Sequence, residues 1–318
     1  MTYQRDTGWV RDLAGVIVAT LTPFDCAGAL DLARVDGYVD FLVSRNVAGL
    51  MVGGTTSEFI TMTVEERASL IVAVVERAAG RLPVIAHVGH VVLSEALRLA
   101  ETAAEAGAPA LAGIVPYFHA HTQSAIVEHL GALARHVPEL PFFVYNYPAD
   151  TGNRLDTDGF AELLGEPNVS GIKLSMSSMV EIEPFLKFLP EICVVSGNDS
   201  VWRDFTALGG QVVVSGNAAA VPELMRGLLT AHLAGDKDAV ESLSPLLDEV
   251  LRLGHGGAPQ LLKEILRSRG LDLGTCRARS VSQSELSVVT SYGPSKALRD
   301  TAGWDITSFG APNVGEAT

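Results

Sequence analysis

The chain has 318 residues, of which 47% are hydrophobic and 19% are charged, and its formal net charge is -14. This composition excludes a largely disordered chain and suits one large globular domain, with or without an appendage. The negative charge argues against non-specific binding to nucleic acid or to an anionic membrane, so we expect neither as a partner.

The cysteines and the N-terminal residues indicate the cellular compartment of the protein. The three cysteines, Cys26, Cys193 and Cys276, are far apart and lack the spacing of metal ligands, which indicates a reducing compartment without disulfides. Residues 1–11 are polar and mixed in charge, unlike a secretory signal peptide. No apolar run reaches the roughly 18 residues that a membrane helix needs. We therefore expect a cytoplasmic protein.

Short apolar runs alternate with helical patterns along the chain. Most of these runs are continuously apolar, which is typical of a parallel sheet that is buried on both faces. The predicted strands are Val16–Ala19, Gly49–Val52, Val84–Val88, Ala110–Val115, Phe142–Tyr145, Val169–Leu174, Cys193–Ser196 and Gln211–Ser215. The predicted helices are Leu32–Arg45, Val64–Ala79, Leu93–Ala106, Gln123–His136, Asp156–Leu164, Val221–Ala234, Lys237–Leu253 and Pro259–Arg269.

Start and stop signals agree with two of these helices. Thr63 stands three residues before Glu66, a spacing that predicts a capping box. Ser94 is a candidate cap for the next helix, and Gly107 is a candidate stop for it.

Eight strand–helix units in about 230 residues predict a (β/α)8 barrel, the TIM barrel of the α/β class. A doubly wound open sheet is the alternative, but it usually carries a glycine-rich phosphate loop after the first strand, and residues 20–25 contain none. We expect the barrel over residues 1–235, a small C-terminal helical appendage over 236–280, and an extended or poorly ordered tail over 281–318.

Lys173 is the most informative residue, because it stands in the apolar predicted strand Val169–Leu174. Burial disfavours the charged form of an amine and lowers its pKa. A neutral amine attacks ketones and forms Schiff bases, so this lysine points to carbonyl chemistry without a metal. The alternative is a lysine that extends from a strand end into water.

Other polar residues follow the predicted strands, at the end of the barrel where active sites lie. Gly53 and Gly54 allow a sharp turn that exposes backbone amides, and Thr55 and Thr56 add hydroxyls, so the run could bind a small carboxylate. The alternative is a turn whose threonines only cap a helix. Tyr145 could pass protons or donate to an oxyanion, or it could only pack at the rim.

Taken together, these residues resemble the pyruvate-dependent class I aldolase family, that of dihydrodipicolinate synthase and N-acetylneuraminate lyase. The resemblance covers roughly residues 12 to 275. Each motif is weak alone, but they occur in the family's order and at its spacing. The matching motifs are Gly53-Gly-Thr-Thr, Tyr145-Asn-x-Pro, Gly171-Ile-Lys173, and Ser196-Gly-x-Asp199 with Val214-Ser215.

The resemblance implies a role for each matching residue. Lys173 would form the Schiff base with the ketone of pyruvate or of another 2-oxo acid, and Tyr145 would be the acid and base. Thr55 and Thr56 would hold the carboxylate, with Thr55 also in the proton relay. The remaining substrate-binding residues that we expect are Gly54, Ser57, Tyr117, Gly197, Val214, His87, His119 and Tyr147.

The chain departs from the synthase branch at two positions. Asp150 appears where synthases carry an arginine that grips the carboxylate of aspartate semialdehyde; the next arginine, Arg154, is displaced. Phe118 follows Tyr117 where synthases have a second tyrosine, which enters the proton relay of a neighbouring subunit. Both departures argue against lysine biosynthesis. An anion at residue 150 suits a polyol or an amine better than a carboxylate.

The turn after the fifth predicted strand, Tyr145-Asn-Tyr147-Pro-Ala-x-Thr-Gly, looks more like the branch that cleaves 2-keto-3-deoxy sugar acids. This favours a retro-aldol reaction that releases pyruvate and an aldehyde. Ser57 replaces a glycine that the family commonly has, and its hydroxyl would either reach the substrate or cap the following helix.

Four histidines are expected near the same end of the barrel: His87, His90, His119 and His121. We expect substrate contact or packing at the rim. A metal site with Glu58 is a weaker alternative, because these spacings are not diagnostic. We predict no metal and no cofactor.

The sequence thus predicts a lysine Schiff-base lyase or aldolase that acts on a 2-oxo acid with pyruvate as product or donor. The alternatives are a condensation of the type catalysed by 4-hydroxy-tetrahydrodipicolinate synthase, a dehydratase on the same iminium, and a non-catalytic 2-oxo acid sensor. The family resemblance also implies a homo-oligomer, either a dimer or a tetramer.

Overall fold

The computed structural model describes residues 8–253 and 258–278. Eight parallel strands in this part of the chain form a closed barrel in sequence order, and β1 pairs with β8 to close it. This confirms the predicted (β/α)8 barrel. The strands are β1 Gly15–Ala19, β2 Gly49–Val52, β3 Val84–His87, β4 Ala110–Ile114, β5 Phe142–Asn146, β6 Val169–Leu174, β7 Cys193–Ser196 and β8 Val212–Ser215.

The strands form where the apolar runs predicted them, because a barrel strand is covered by helices outside and by side chains inside. In β5, for example, Phe142, Phe143 and Val144 are all fully buried although successive side chains point to opposite faces. Each observed strand end lies within one residue of the predicted one.

The α-helices cover the outside of the barrel and also connect strands at its carboxyl end. They are α1 Gly8–Arg11, α2 Val35–Val43, α3 Val64–Ala78, α4 Leu93–Glu105, α5 Gln123–His136, α6 Pro148–Thr151, α7 Thr157–Leu163, α8 Met179–Ile182, α9 Trp202–Ala207, α10 Pro222–Leu233, α11 Lys237–Leu253 and α12 Pro259–Ser268. Five 3-10 helices also occur in the described chain, at Leu32–Arg34, Phe59–Thr61, Glu183–Phe188, Asp199–Val201 and Asn217–Ala219.

The capping box at the start of α3 is confirmed. The Thr63 hydroxyl accepts from the amide of Glu66, and the Glu66 carboxylate accepts from the amide of Thr63. The predicted cap at Ser94 is wrong, because α4 already begins at Leu93 and Ser94 lies within its first turn. The stop after α4 is confirmed, since Gly107 has a φ of +83° just beyond the helix, a conformation that glycine adopts without strain.

The helices α11 and α12 follow the barrel, as predicted, and both reach its carboxyl end. Leu251 of α11 lines a cavity there, and Lys263 of α12 contacts the loop after β2. The division of the chain at residue 235 stays a prediction, and the predicted tail over 281–318 lies outside the described residues. In the part of the chain that is described, no helix has both the length and the hydropathy of a membrane span.

Candidate active site

Lys173 lies inside the barrel on β6. Its side chain is buried, and its Nζ is 3.7 Å from the Sδ of Met51 on β2, across the barrel interior. A thioether is only a weak hydrogen-bond acceptor. Burial lowers the pKa of Lys173 to about 7, and the smaller effect of the negative charge of Asp199 acts in the opposite direction. A large share of this amine is therefore neutral and nucleophilic at neutral pH.

Tyr145 lies beside Lys173 on the neighbouring strand, in register with it. The Nζ of Lys173 is 3.9 Å from the centroid of the Tyr145 ring. The Tyr145 hydroxyl lies 3.0 Å from the Oγ1 of Thr55. Burial raises the pKa of Tyr145 to about 12, while the hydroxyls of Thr55 and Ser175 lower it. The phenol is therefore protonated at neutral pH and can donate to a developing oxyanion.

The loop after β2 places Thr55 and Thr56 at the rim, where both are partly exposed. The carbonyl of Gly54 accepts from the amide of Ser57, which closes a tight turn. Ser57 itself is fully buried: its hydroxyl donates to the carbonyl of Thr20 and accepts from the amide of Gly53. The structure shows neither expected role of Ser57. Its buried hydroxyl stabilises the turn through these two hydrogen bonds and caps no helix.

Gly197 is required by close packing beside Lys173. A Cβ atom at Gly197 would lie 2.2 Å from the Oγ of Ser175 and 2.9 Å from the Cε of Lys173. A side chain there would displace the amine, so the glycine after β7 determines the position of the lysine.

A cavity of about 240 Å³ opens beside these residues at the carboxyl end of β5 to β8. Two of its lining residues carry buried oxygen atoms that lack a partner in the described structure, the Oδ1 of Asp199 and the Oδ1 of Asn217. The other oxygen of Asp199 accepts from Ser215 and Asn217, each at 2.7 Å. The lining residues are Tyr147, Ala149, Ser175, Met176, Ser177, Gly197, Asn198, Asp199, Gly216, Asn217 and Leu251.

Tyr147 lines this cavity and stacks on Tyr145, with ring centroids 6.0 Å apart. Burial raises its pKa, and the neighbouring carboxylate of Asp150 raises it further. Arg154 forms an ion pair with Glu181 outside the cavity. In the turn after β5, Asp150 therefore acts on Tyr147, whereas the guanidinium of Arg154 is paired with Glu181.

His87 is fully buried at the end of β3. Because the carbonyl of Gly53 can only accept, the Nδ1 of His87 donates to it at 2.7 Å. Burial and the nearby guanidinium of Arg67 hold the pKa of His87 well below its usual value, so the ring is neutral. Its Nε2 is buried without a partner among the described residues. The ring packs edge-on against Tyr145 and Phe59.

Arg67 on α3 is a buried residue that the sequence analysis did not single out. Its guanidinium donates to the carbonyls of His87 and Gly89, each at 2.9 Å, and lies 5.0 Å from the ring centroid of Phe59. It fixes the end of β3. Tyr117 packs edge-on against Phe59 and is not among the residues that line the cavity.

The other three histidines expected at the site, His90, His119 and His121, lie outside the cavity lining. The ring of His119 packs against that of Phe118, and His121 is exposed. A further histidine, His129 on α5, lies near His90 and His121, and burial lowers its pKa. Across residues 8–253 and 258–278, no group of three or more His, Cys, Asp or Glu side chains has the geometry to hold a metal ion.

The structure therefore brings together Lys173, Tyr145 and Thr55, while Val214 is buried within β8 outside the cavity lining. Several lining residues were not predicted as site residues, among them Ser175 and Asn217. Ser175 stands two residues after Lys173, and the two-residue period of a strand could have placed both on one face. No local pattern indicates Leu251, which comes from α11.

Residues 12–287 match the Dihydrodipicolinate synthetase family. The chain belongs to this family. It is 34% identical over 268 residues to a 4-hydroxy-tetrahydrodipicolinate synthase of Methanosphaerula palustris, covering 83% of this chain and 91% of that protein. It is 31% identical over 280 residues to an N-acetylneuraminate lyase of Rhizobium meliloti, covering 87% of this chain and 93% of that protein.

Solved structures of the family have the same fold. A Ruminococcus gnavus sialic acid aldolase, crystallised as a catalytic lysine mutant, has a TM-score of 0.86 at 26% identity, with coverage of 94% of this chain and all of that one. A dihydrodipicolinate synthase of Aquifex aeolicus has a TM-score of 0.81 at 30% identity, with coverage of 88% and 98%. Members of the family are pyruvate-dependent lyases and aldolases that use a lysine Schiff base, and this chain is an enzyme of that class.

Proposed function

We propose that this member of the family cleaves a 2-keto-3-deoxy sugar acid, or a similar hydroxylated 2-oxo acid, into pyruvate and an uncharged hydroxyaldehyde. The observation that carries the proposal is the cavity beside Lys173. Its described lining supplies hydroxyls, amides and one carboxylate but no lysine, arginine or histidine side chain. Such a lining suits a chain of hydroxyl groups and lacks a cation for a second carboxylate.

Lys173 is the proposed nucleophile. Its neutral amine attacks the C2 ketone of the substrate, and loss of water from the carbinolamine gives an iminium. The iminium withdraws electrons, so the C3–C4 bond breaks when the C4 hydroxyl loses its proton. The electron pair of that bond forms an enamine, and the aldehyde leaves. Protonation at C3 and hydrolysis then release pyruvate and restore the lysine.

Tyr145 is the proposed acid and base for these steps. Its hydroxyl is within hydrogen-bonding distance of Thr55, and its phenol is protonated in the resting enzyme. It can give a proton to the departing water and take one from the C4 hydroxyl. Thr55 and Thr56, beside the turn at Gly54, are the proposed donors to the C1 carboxylate.

The side chains of Asp199 and Asn217 support a hydroxylated substrate. Both line the cavity, and a carboxylate and an amide there can pair with ligand hydroxyls. We therefore assign both residues, with Tyr147 and Gly197, to the aldehyde half of the substrate.

Condensation of pyruvate with aspartate semialdehyde is the alternative, since the relative from Methanosphaerula palustris is named a 4-hydroxy-tetrahydrodipicolinate synthase. The geometry of the site favours this condensation less than it favours cleavage of a hydroxylated 2-oxo acid. Asp150 stands beside Tyr147, and the guanidinium of Arg154 is paired with Glu181. A second carboxylate would meet a negative charge here without a compensating cation.

A substrate panel tests the proposal. Purified protein is incubated with 2-keto-3-deoxy acids of differing length and terminal charge, and pyruvate release is measured; pyruvate with aspartate semialdehyde is assayed in parallel. We expect cleavage of at least one neutral-ended polyol substrate. Turnover of aspartate semialdehyde alone would favour the synthase. Ligand-dependent stabilisation without turnover of any 2-oxo acid would favour a sensor.

We also propose that the protein forms a homo-oligomer, as members of the family usually do. Phe118, in the loop after β4, is 87% exposed, and Ile60, in the loop after β2, is 70% exposed. Exposed apolar side chains on these two loops favour association with a second copy. Light scattering of the wild type and of Phe118→Asp tests this: we expect a dimer or tetramer that the substitution weakens, and a monomeric wild type would contradict it.

A further inference from the structure

A buried ion pair joins α12 to the loop that carries Thr55. The Nζ of Lys263 lies 3.2 Å from the Oε1 of Glu58, and the two side chains are only 2% and 1% exposed. Isolating a lysine and a glutamate from water is costly, and such a pair is retained only where its geometry is well satisfied. Neither residue lines the cavity, so their burial needs another explanation.

The last described segment of the chain, residues 273–278, completes this pair and is called here the C-terminal strap. The amides of Arg277 and Ala278 both donate to the Oε2 of Glu58 at 2.8 Å. The Nζ of Lys263 donates to the carbonyl of Thr275 at 2.5 Å. One carboxylate oxygen of Glu58 thus pairs with Lys263, and the other accepts hydrogen bonds from the strap backbone.

The strap is also bound on its other side, to the loop after β1. The amide of Thr275 donates to the carbonyl of Phe24, and a Cβ at Gly274 would lie 1.8 Å from that carbonyl oxygen. Gly274 has a φ of +71° as well, so glycine is required at this contact. The guanidinium of Arg277 donates to the carboxylate of Glu66 and to the carbonyl of Thr61.

Glu58 is coupled to Thr55 through the backbone. The amide of Glu58 donates to the carbonyl of Thr55 at 2.9 Å, and Glu58 itself has a φ of +59°. This left-handed conformation is unfavourable for a residue other than glycine, and it persists only where surrounding contacts enforce it. Lys263 and the strap hold the carboxylate of Glu58, and the hydroxyl of Thr61 donates to its carbonyl. Release of Glu58 would therefore let the Thr55 turn relax.

We propose that Glu58, Lys263 and the C-terminal strap are positioning elements that hold Thr55 at hydrogen-bonding distance from Tyr145. This inference rests on the proposed role of Thr55 and Tyr145 but not on the identity of the aldehyde. Its consequence is that the chain after the barrel is part of the catalytic apparatus. Lys263 and Glu58 stand 205 residues apart in sequence, yet together they set the geometry of the proton relay.

The test uses the first chemical step, iminium formation with pyruvate, because it does not require the unidentified aldehyde. Pyruvate is mixed with the full chain, the iminium is reduced with borohydride at increasing times, and intact mass gives the trapped fraction. The variants are Lys263→Met, which removes the buried cation, and Arg277→Ala, which loosens the strap from the rim without a change to the buried pair. Arg269→Ala is the matched control, because it breaks the ion pair with Glu223 at the end of the same helix.

Positioning and mere stabilisation give different results in this experiment. If these elements position Thr55, Lys263→Met reaches the same final trapped fraction as wild type. Its trapping rate at saturating pyruvate is at least tenfold lower, and the pyruvate concentration that gives half of that rate is higher. The trapping rate of Arg277→Ala falls at least threefold, and that of Arg269→Ala stays within twofold of wild type. If Lys263→Met does not fold, Arg277→Ala decides the matter by the same criteria.

Three outcomes overturn the inference. They are a smaller trapped fraction with unchanged rate constants, wild-type rates in both Lys263→Met and Arg277→Ala, or an equal loss of rate in Arg269→Ala. A wild-type protein that traps no pyruvate contradicts the proposed function and this inference together. Trapping by wild type with unaffected variants contradicts the inference alone.

Discussion

The Nζ of Lys173 lies 3.9 Å from the centroid of the Tyr145 ring, inside the barrel. Two opposing effects act on the amine at this position. An aromatic face stabilises a cation by about 0.5–2 kcal/mol, whereas desolvation of a fully buried ammonium can lower its pKa by several units, at about 1.4 kcal/mol each. Desolvation is the larger effect, and the pKa of Lys173 falls to about 7.

The rate of iminium formation should therefore depend on pH near neutrality. Only the neutral amine attacks pyruvate, so the rate should rise with pH up to a plateau above about 8 and be about tenfold lower at pH 6. Stopped reactions with borohydride over pH 5.5 to 9 measure it. In Asp199→Asn the midpoint should shift to lower pH, because the carboxylate that raises the pKa of Lys173 is lost. A midpoint near pH 10 would show that the amine is not desolvated.

Tyr145→Phe should lower the rate of pyruvate release or exchange by roughly 10²–10⁴-fold, since a positioned acid and base contributes about that much. Thr55→Val keeps the phenol but removes the hydroxyl 3.0 Å away, and we expect a smaller loss, about tenfold. Exchange of the pyruvate methyl protons in heavy water, followed by NMR, reports this step without the aldehyde. A Tyr145→Phe variant with wild-type exchange would remove Tyr145 from the proposed mechanism.

Gly197→Ala should abolish or severely slow iminium formation, because its Cβ would lie 2.9 Å from the Cε of Lys173 and 2.2 Å from the Oγ of Ser175. Gly37→Ala is the matched control, since a Cβ at this position on α2 meets only Leu271, at 3.9 Å. We expect trapping by Gly37→Ala to equal that of wild type. Trapping by Gly197→Ala at the wild-type rate would mean that the lysine has more space than the structure gives it.

Lys173→Met should raise the free energy of unfolding at pH 7. The folded-state pKa lies below the unfolded value of 10.5, so the unfolded chain binds more protons between about pH 7 and 10.5. The stability of wild type therefore rises with pH across this window, and methionine removes that dependence. Each unit by which the pKa is lowered corresponds to about 1.4 kcal/mol.

Denaturant unfolding at pH 7 and pH 10 measures this effect. Lys187→Met, at an exposed position, is the control and should leave the pH dependence of stability unchanged. A Lys173→Met variant that is less stable than wild type at pH 7 would indicate that the buried amine is a net stabilising contact.

The barrel and the central residues of the site could be predicted from sequence for a physical reason. Parallel strands buried on both faces are continuous apolar runs, and their carboxyl ends meet at one rim. Residues at or just after these ends, such as Tyr145 and Thr55, were therefore expected together, and the structure places their hydroxyls 3.0 Å apart.

The other features of the site could not be predicted from the sequence, because they depend on side-chain direction and on contacts between distant segments. The Ser57 side chain is buried and donates to the carbonyl of Thr20, and the next residue, Glu58, has a left-handed backbone. No residue type signals either feature locally. The ring of His87 is fully buried although its strand ends at the rim. The pairing of Glu58 with Lys263 spans 205 residues and leaves no pattern in either segment.

Borohydride trapping with pyruvate, followed by peptide mass spectrometry, tests the central claim most directly. We predict that the reduced pyruvyl adduct lies on Lys173, and that Lys173→Met carries none while Lys263→Met still carries it. An adduct on another lysine, or none on any lysine of the wild-type protein under conditions where it is folded, would contradict the assignment of Lys173 as the nucleophile.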